Sequence, residues 1–326
     1  MITLKKLRSV VVVSLIVMLV AVTAGSALGA YPEKPINIIV TWGPGGGVDV
    51  TTRVFAKHVE KYLGQPMVVQ NVEGGGGSVG FTQVLKSRAD GYTLTMAASP
   101  IMVHPYTIEG VAYKYSSFEP VGMLTFDPVL LLVKTGSNFD MEAKEFLEFV
   151  RENPGKLLLG VGSHWGSHDF ARAQIEMATG LEFQRVAFSA GGKEGVTALL
   201  GGHINATIAY FAEARSNIQE GTLKVIAMGG MERSPFLPEV PTLKELGIDL
   251  VLGTWRGILA PKGTPEEALA VLRDGFVKIV NDPEFLEDLE KSGNVPVIAE
   301  AKEFGAMMEK EDVAVQKVVE KLKAEQ

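Results

Sequence analysis

The chain has 326 residues, no cysteine and a formal net charge of −7. Without cysteine it carries no disulfide, no thiol nucleophile, no Cys-based metal site and no cysteine for a bacterial lipid anchor. The acidic balance argues against nucleic acid as a partner, and 46% hydrophobic with 21% charged residues describes a globular chain long enough for about two domains.

The first segment reads as a targeting signal. Lys5, Lys6 and Arg8 form a basic start, Val10 to Val22 is apolar except for Ser14, and Thr23 to Ala30 is rich in small residues. This is the three-part pattern of a secretory signal peptide. Its apolar run is shorter than the ~20 residues of a spanning helix. Ala27 and Gly29 suit the −3 and −1 positions, so residues 1–29 are expected to be removed after Gly29. Loss of those three basic residues takes the charge from −7 to −10. Export favours binding proteins and hydrolases over enzymes that need nucleotide cofactors.

The remaining chain alternates strand and helix. Ile36 to Thr41 is β-rich and ends in Gly43-Pro44-Gly45-Gly46-Gly47. Phe55, Val59, Tyr62 and Leu63 then share one helical face, which Gly64 stops. Met67 to Asn71 is the next strand, followed by Gly74 to Gly77, a helix with Phe81, Val84 and Leu85 on one face, and a strand from Tyr92 to Ala97. This is the rhythm of a parallel sheet with helices on its faces. It resumes with a strand at Pro128–Val133, a helix at Met141–Arg151, a strand at Leu157–Val161, a loop at 162–167 and a helix at Asp169–Thr179. Arg185–Phe188 is a strand, 189–192 a loop before a helix to Leu200, and Ile204–Ile208 and Lys224–Met228 are further strands. From Thr264 onward the pattern reads as helical only. Thr264 is placed as the cap and Pro265 at the first helical position, and the last helix, from Lys302, has a charged, solvated face. The fold class is α/β, in two halves.

Glycine is 36 of 326, about 11% against a usual ~7%. Much of the excess falls where strands hand over to helices. Such a turn offers unpaired backbone N–H groups and the positive end of a helix dipole, which together hold carboxylates or phosphates without a charged side chain. Gly45 to Gly47 and Gly74 to Gly77 follow adjacent strands, and a ligand crevice lies at the carboxyl ends of strands in open α/β sheets. Two enzyme motifs overlap the second loop. Gly75-x-Gly77-x-x-Gly80 matches a dinucleotide fingerprint but lacks the later acid. Gly76-Gly77-Ser78-Val79-Gly80 matches a nucleophile elbow, so a secreted serine hydrolase using Ser78, with His168 or His203 as base, is the alternative. His164 and His168 are spaced as zinc ligands on a helix would be, but Trp165-Gly166-Ser167 between them reads as loop, and no metal site is expected.

A series of motifs runs along the chain: Tyr31-Pro32-Glu33-Lys34-Pro35-Ile36, Trp42-Gly43-Pro44-Gly45-Gly46-Gly47-Val48-Asp49, Gly64-Gln65-Pro66, the loop Asn71 to Gly80 and Ala89-Asp90-Gly91-Tyr92-Thr93-Leu94. Ala198 to Ile204, Arg233, Leu237 to Gly247 and Gly257 to Pro265 follow in register. Taken in order, they resemble the substrate-binding proteins of tripartite tricarboxylate transporters, the Bug family. The resemblance implies a type II periplasmic binding protein fold, with two doubly wound α/β domains joined by a two-strand hinge. It places one domain at 31–126 plus 254–326 and the other at 127–253, with crossovers near Asp127 and Gly253. It further implies a monomeric, periplasmic, non-enzymatic receptor without cofactor. Such a receptor binds a small organic carboxylate and delivers it to integral-membrane transporter subunits.

The resemblance carries over a set of ligand-binding positions. In the first domain these are Trp42, Gly45, Gly46, Gly47, Asp49, Gly75, Gly76, Gly77, Ser78 and Ser99. In the second they are Ser163, His164, Trp165, Ser167, Ala190, Gly191 and Gly192. Asp49 suits a loop brace better than a contact, since a bare carboxylate repels an anion. His164, Trp165 and Phe170 are bulkier than the family pattern, and Trp42 replaces its usual Phe, so the ligand is expected to have an apolar or aromatic body and one carboxylate.

Overall fold

The computed structural model describes residues 31–162, 166–188 and 192–324. The signal segment 1–29, Ser163, His164, Trp165, Ala190 and Gly191 lie outside the described residues.

The first half is built on three parallel strands. β1 (Ile36–Val40) is flanked by β2 (Met67–Asn71) and β3 (Thr93–Ala98). β1 and β3 are buried on both faces, which explains their nearly continuous apolar sequence. α1 (Gly47–Leu63) leaves β1, and Gly64 ends it with a left-handed turn whose N–H bonds to the Glu60 carbonyl. α2 (Ser78–Leu85) leaves β2, and α3 (Pro100–Thr107) leaves β3.

A long strand, β4 (Phe118–Lys134), ties the two halves together. Its 17 residues extend about 55 Å at ~3.3 Å each. Phe118 to Pro128 pair with β9 (Gly253–Pro261), and Val129 to Val133 pair with strands of the other half. That half contains α4 (Ala143–Glu152), β5 (Leu158–Val161), α5 (Ser167–Thr179), β6 (Gln184–Ala187), α6 (Gly192–Leu200), β7 (Ala206–Tyr210), α7 (Phe211–Gln219) and β8 (Leu223–Met228). The chain returns through β9, continues as α8 (Glu266–Val280), α9 (Pro283–Lys291) and β10 (Pro296–Glu300), and ends in α10 (Ala301–Ala324).

The strand order is β2-β1-β3-β9-β4-β10 in the first half and β6-β5-β7-β4-β8 in the second. Each sheet has helices on both faces. In the first half, Phe81, Ile101, Phe304 and Met308 fill one side, and Phe55, Leu272, Phe276 and Phe285 fill the other. In the second, Phe146, Leu147 and Ile175 oppose Val196, Leu199 and Ala214. At the crossover Asp127 pairs with Thr254 and Pro128 with Gly253.

Several expectations change. β4 begins ten residues before the expected Pro128. β10 interrupts the helical stretch expected after Thr264, and α8 is capped at Pro265 rather than Thr264, whose hydroxyl bonds back to the Pro261 carbonyl. α3, α7 and β9 gave no clear periodic signal. α3 is largely apolar and contains Pro105, which hides a 3.6-residue period. The last helix does have a solvated face, but Phe304, Met308, Val315, Val318 and Leu322 bury its other face. No helix among the described residues is long and apolar enough to cross a membrane.

Candidate ligand-binding cleft

The β1 loop is braced from within. Asp49, on the first turn of α1, is buried. It accepts from the Gly45 N–H at 2.9 Å, Arg53 Nε at 2.9 Å and Asn71 Nδ2 at 2.9 Å. Burial works to raise the Asp49 pKa, but the bonds from Arg53, Gly45 and Asn71 outweigh it and hold the carboxyl below its ordinary value. Asn71 also donates to the Trp42 carbonyl at 3.0 Å, so the ends of β1 and β2 are locked together. Asp49 therefore spends its charge on the loop.

The β2 loop has a backbone that only glycine adopts without strain. Gly74 to Gly77 all have positive φ, at 127°, 55°, 65° and 108°. At Gly77 a Cβ would also lie 3.0 Å from Thr41 Oγ1 and 3.2 Å from the Trp42 ring. The chain is thus pulled tight against the end of β1. The N–H groups of Gly47, Val48, Gly75 and Gly76 have no protein acceptor among the described residues. Four uncommitted donors therefore sit at the carboxyl ends of two adjacent parallel strands.

Ser99, at the end of β3, is buried, and its hydroxyl accepts the Trp255 backbone N–H at 3.0 Å. His104, on α3, is within 2.7 Å of the Tyr113 hydroxyl through Nδ1, and its Nε2 faces Gly76. Burial lowers the His104 pKa to about 4, so the ring is neutral at pH 7.

The opposing wall relies on side chains. His168, in the first turn of α5 rather than in a loop, bonds through Nε2 to Glu213 Oε2 at 3.0 Å. Glu213 also accepts the Tyr210 N–H at 2.8 Å and the N–H of Gly192. Burial tends to raise the Glu213 pKa, but the His168 bond and charge and these N–H groups hold it below the usual value. Gly192 packs directly on the Glu213 carboxylate, leaving no room for a side chain. Below this lies a buried ion network in which Arg172 bonds to Asp169 at 2.8 Å and Glu176 at 2.6 Å, and Arg185 bonds to Asp169 at 2.9 Å.

Three buried side-chain atoms among the described residues lack a hydrogen-bond partner: Thr41 Oγ1, Tyr210 Oη and Arg256 Nε. Thr41 follows β1, Tyr210 ends β7 and Arg256 lies on β9, so all three border the region between the halves. Arg256 Nη1 bonds to Asp127 Oδ2 at 2.7 Å, and its Nη2 is the group nearest Gly47. Ser167 lies beside the Tyr210 hydroxyl without closing a well-formed bond, and burial pushes that phenol above its ordinary pKa. Buried polar atoms left unpaired cost about 1–3 kcal/mol each.

A cavity of about 290 Å³ is lined by residues of both halves, and Thr41, Tyr210 and Arg256 are not among them. Of the expected positions, Ser99 and Ser167 line it, together with Phe170, while Trp42, Gly45 to Gly47, Asp49, Gly75 to Gly77, Ser78 and Gly192 lie outside it. Ser78 begins α2 beside Gly75, and no histidine bonds to its hydroxyl among the described residues. Away from the cleft, His58, Asp282 and Glu284 come within 4.8 Å of one another. Lys61 and Tyr62 already occupy Asp282 at 2.7 and 2.8 Å, and Asp288 occupies His58 at 2.9 Å, which makes this an ion-pair cluster between α1 and α9. Arg256, Tyr210, Glu213 and His104 were not among the expected site residues. The lone base in the strand Thr254-Trp255-Arg256-Gly257-Ile258 was the one signal for the first.

Two sheets joined by paired crossover strands, with helix starts facing a cleft between them, define a two-domain solute-binding protein of the periplasmic type. Residues 51–323 match the model of the tripartite tricarboxylate transporter family receptor, TctC. A Cupriavidus necator protein described as the UPF0065 protein in the gbd 5′ region is 30% identical over 314 residues, covering 93% of this chain and 92% of that one. Protein BugT of Bordetella pertussis is 29% identical, with 90% of each chain covered. The crystal structure of a TctC solute-binding protein from Polaromonas, without ligand, superposes with a TM-score of 0.82 at 32% identity, covering 89% of this chain and 99% of that one. The chain belongs to the Bug family of tripartite tricarboxylate transporter receptors. It is a solute-binding receptor and not an enzyme, which sets aside the hydrolase reading of Ser78.

Proposed function

We propose that this protein is an extracytoplasmic receptor that captures a small organic carboxylate between its halves and delivers it to the membrane subunits of a tripartite transporter. One observation carries the reading. The uncommitted N–H groups of Gly47, Val48, Gly75 and Gly76 stand at the starts of two helices on neighbouring strands, where backbone dipoles favour an anion. The working unit is a monomer exported by residues 1–29 and cleaved after Gly29. Residues 31–126 plus 254–326 close over 127–253, and the hinge lies where β4 leaves β9 for β7 and β8, near Asp127 and Gly253. Closure lets a permease distinguish a loaded receptor from an empty one. Trp42 and Phe170 give the ligand apolar walls, favouring an apolar or aromatic body with one carboxylate.

A thermal-shift screen of organic acids tests this. Aliphatic and aromatic monocarboxylates are expected to raise Tm, by an amount equivalent to about 2.7 kcal/mol at a hundredfold excess over Kd. Stabilisation by citrate or succinate alone would overturn the apolar-body reading. No response to any acid would overturn the receptor reading itself.

A further inference from the structure

The cavity between the halves contains a feature that anion binding does not use. Its walls come from α3, α5, α10 and the crossover at Leu252–Gly253. They are mainly apolar, with Pro100, Val103, Ile108, Phe170, Leu252 and Val315. At about 290 Å³ it is close to the lower end of small-molecule sites, roughly 300 Å³. Ser99 lines it, and so does His104, whose Nε2 faces Gly76, so the cavity adjoins the β2 glycine loop.

Glu311 faces this space from α10. Phe304, Met308, Val315, Val318 and Leu322 form the buried stripe of that helix, and the half-buried Glu311 falls on the same face, at the alternating four- and three-residue steps. An acid therefore occupies a position that packing alone would give to an apolar residue. One oxygen, Oε2, accepts Trp255 Nε1–H at 2.6 Å. Glu311 makes no ion pair among the described residues, and its other oxygen has no protein donor there. Burial first, and then the nearby Asp312 charge, push its pKa up to about 7 against the lowering effect of the Trp255 bond. The neutral His104 supplies no balancing charge. A carboxylate placed in an apolar cavity without a cation is unfavourable until something pairs with it.

We propose that Glu311 is a specificity-determining residue, and that the ligand is an amino-carboxylate whose apolar body fills this cavity and whose primary ammonium pairs with the Glu311 carboxylate. The proposal rests on the carboxylate-receptor reading above. A ligand with a second carboxylate at that end would meet like charge, whereas an ammonium replaces the missing partner and makes a charge-assisted hydrogen bond.

Two matched probe sets test it by calorimetric titration at pH 7: hexanoate, 6-aminohexanoate and adipate, and benzoate, 4-(aminomethyl)benzoate and terephthalate. In at least one set the ammonium probe is expected to bind about tenfold tighter than the parent acid, and the dicarboxylate most weakly. E311Q is expected to collapse that order and to bring the dicarboxylate level with the amino acid. The wild-type order stands as a test by itself, whether or not the variant folds. Binding that is indifferent to the distal group, dicarboxylates binding tightest, or only citrate or succinate binding would overturn the proposal and leave the receptor reading intact. Failure of every acid to bind would remove the receptor reading and this inference with it.

Discussion

The two walls of the cleft are made of different chemistry. The first-half wall offers backbone: glycines with positive φ, uncommitted N–H groups, and an acid, Asp49, wholly engaged in bracing. The second-half wall, over its described residues, offers side chains in closed networks: His168 with Glu213 and Tyr210, and Arg172 with Asp169 and Glu176. Backbone donors recognise any carboxylate and change little when side chains mutate. Side-chain walls reshape with each substitution. On the proposed reading the first wall is the general grip, and the second, with α10, selects which carboxylate is accepted.

That contrast can be broken from either side. The largest effect is expected from Arg172→Met, which leaves the fully buried Asp169 with Arg185, and the buried Glu176 with Lys321, as remaining cations. Removing the shared cation of this network costs up to about 3–5 kcal/mol, read as a fall in the urea midpoint. Next comes Gly77→Val, which puts a β-branched side chain at φ 108° against Thr41 and Trp42. Carboxylate affinity should fall about a hundredfold or more by calorimetry, because the donors of the β2 loop are displaced. A loss under about tenfold would place the grip elsewhere.

A smaller effect separates α10 from both walls. Glu311 has a folded-state pKa of about 7 against an ordinary 4.5, so between those values the native state holds more protons than the unfolded one. Stability from this group is therefore lost as pH rises from 4.5 through 7. His104, lowered from 6.5 to about 4, acts in the opposite direction, its contribution being lost as pH falls through that window. The difference between E311Q and wild type isolates Glu311. The variant should gain of order 1–3 kcal/mol relative to wild type on going from pH 5 to pH 8, followed by denaturant titration. The smallest effect expected is that of salt. An acidic protein that binds anions through short-range N–H groups should change its Kd by less than about threefold between low and physiological ionic strength. A steep loss would reveal long-range attraction instead.

Much of the first wall was legible in the sequence because glycine runs after short apolar strands have few other uses. Gly64 was legible as a helix stop for the same conformational reason. What remained hidden depends on contacts between distant segments. Arg256 becomes notable only when β9 lies beside β4 and brings Asp127 to 2.7 Å. Tyr210 and Glu213 gain meaning only when α5 places His168 against them. α3, mostly apolar and interrupted by Pro105, has no period to read. Glu311 was visible in principle as an acid on an apolar stripe, but its partner Trp255 lies 56 residues away.

The central claim is that a carboxylate is held by backbone donors at the β1 and β2 loops. Calorimetric titration of one bound organic acid beside its uncharged methyl ester, with product analysis of the ester solution, tests it most directly. The account predicts saturable one-to-one binding of the acid, an ester at least about a hundredfold weaker, and no hydrolysis. Equal affinity for the two, or release of acid from the ester, would contradict it.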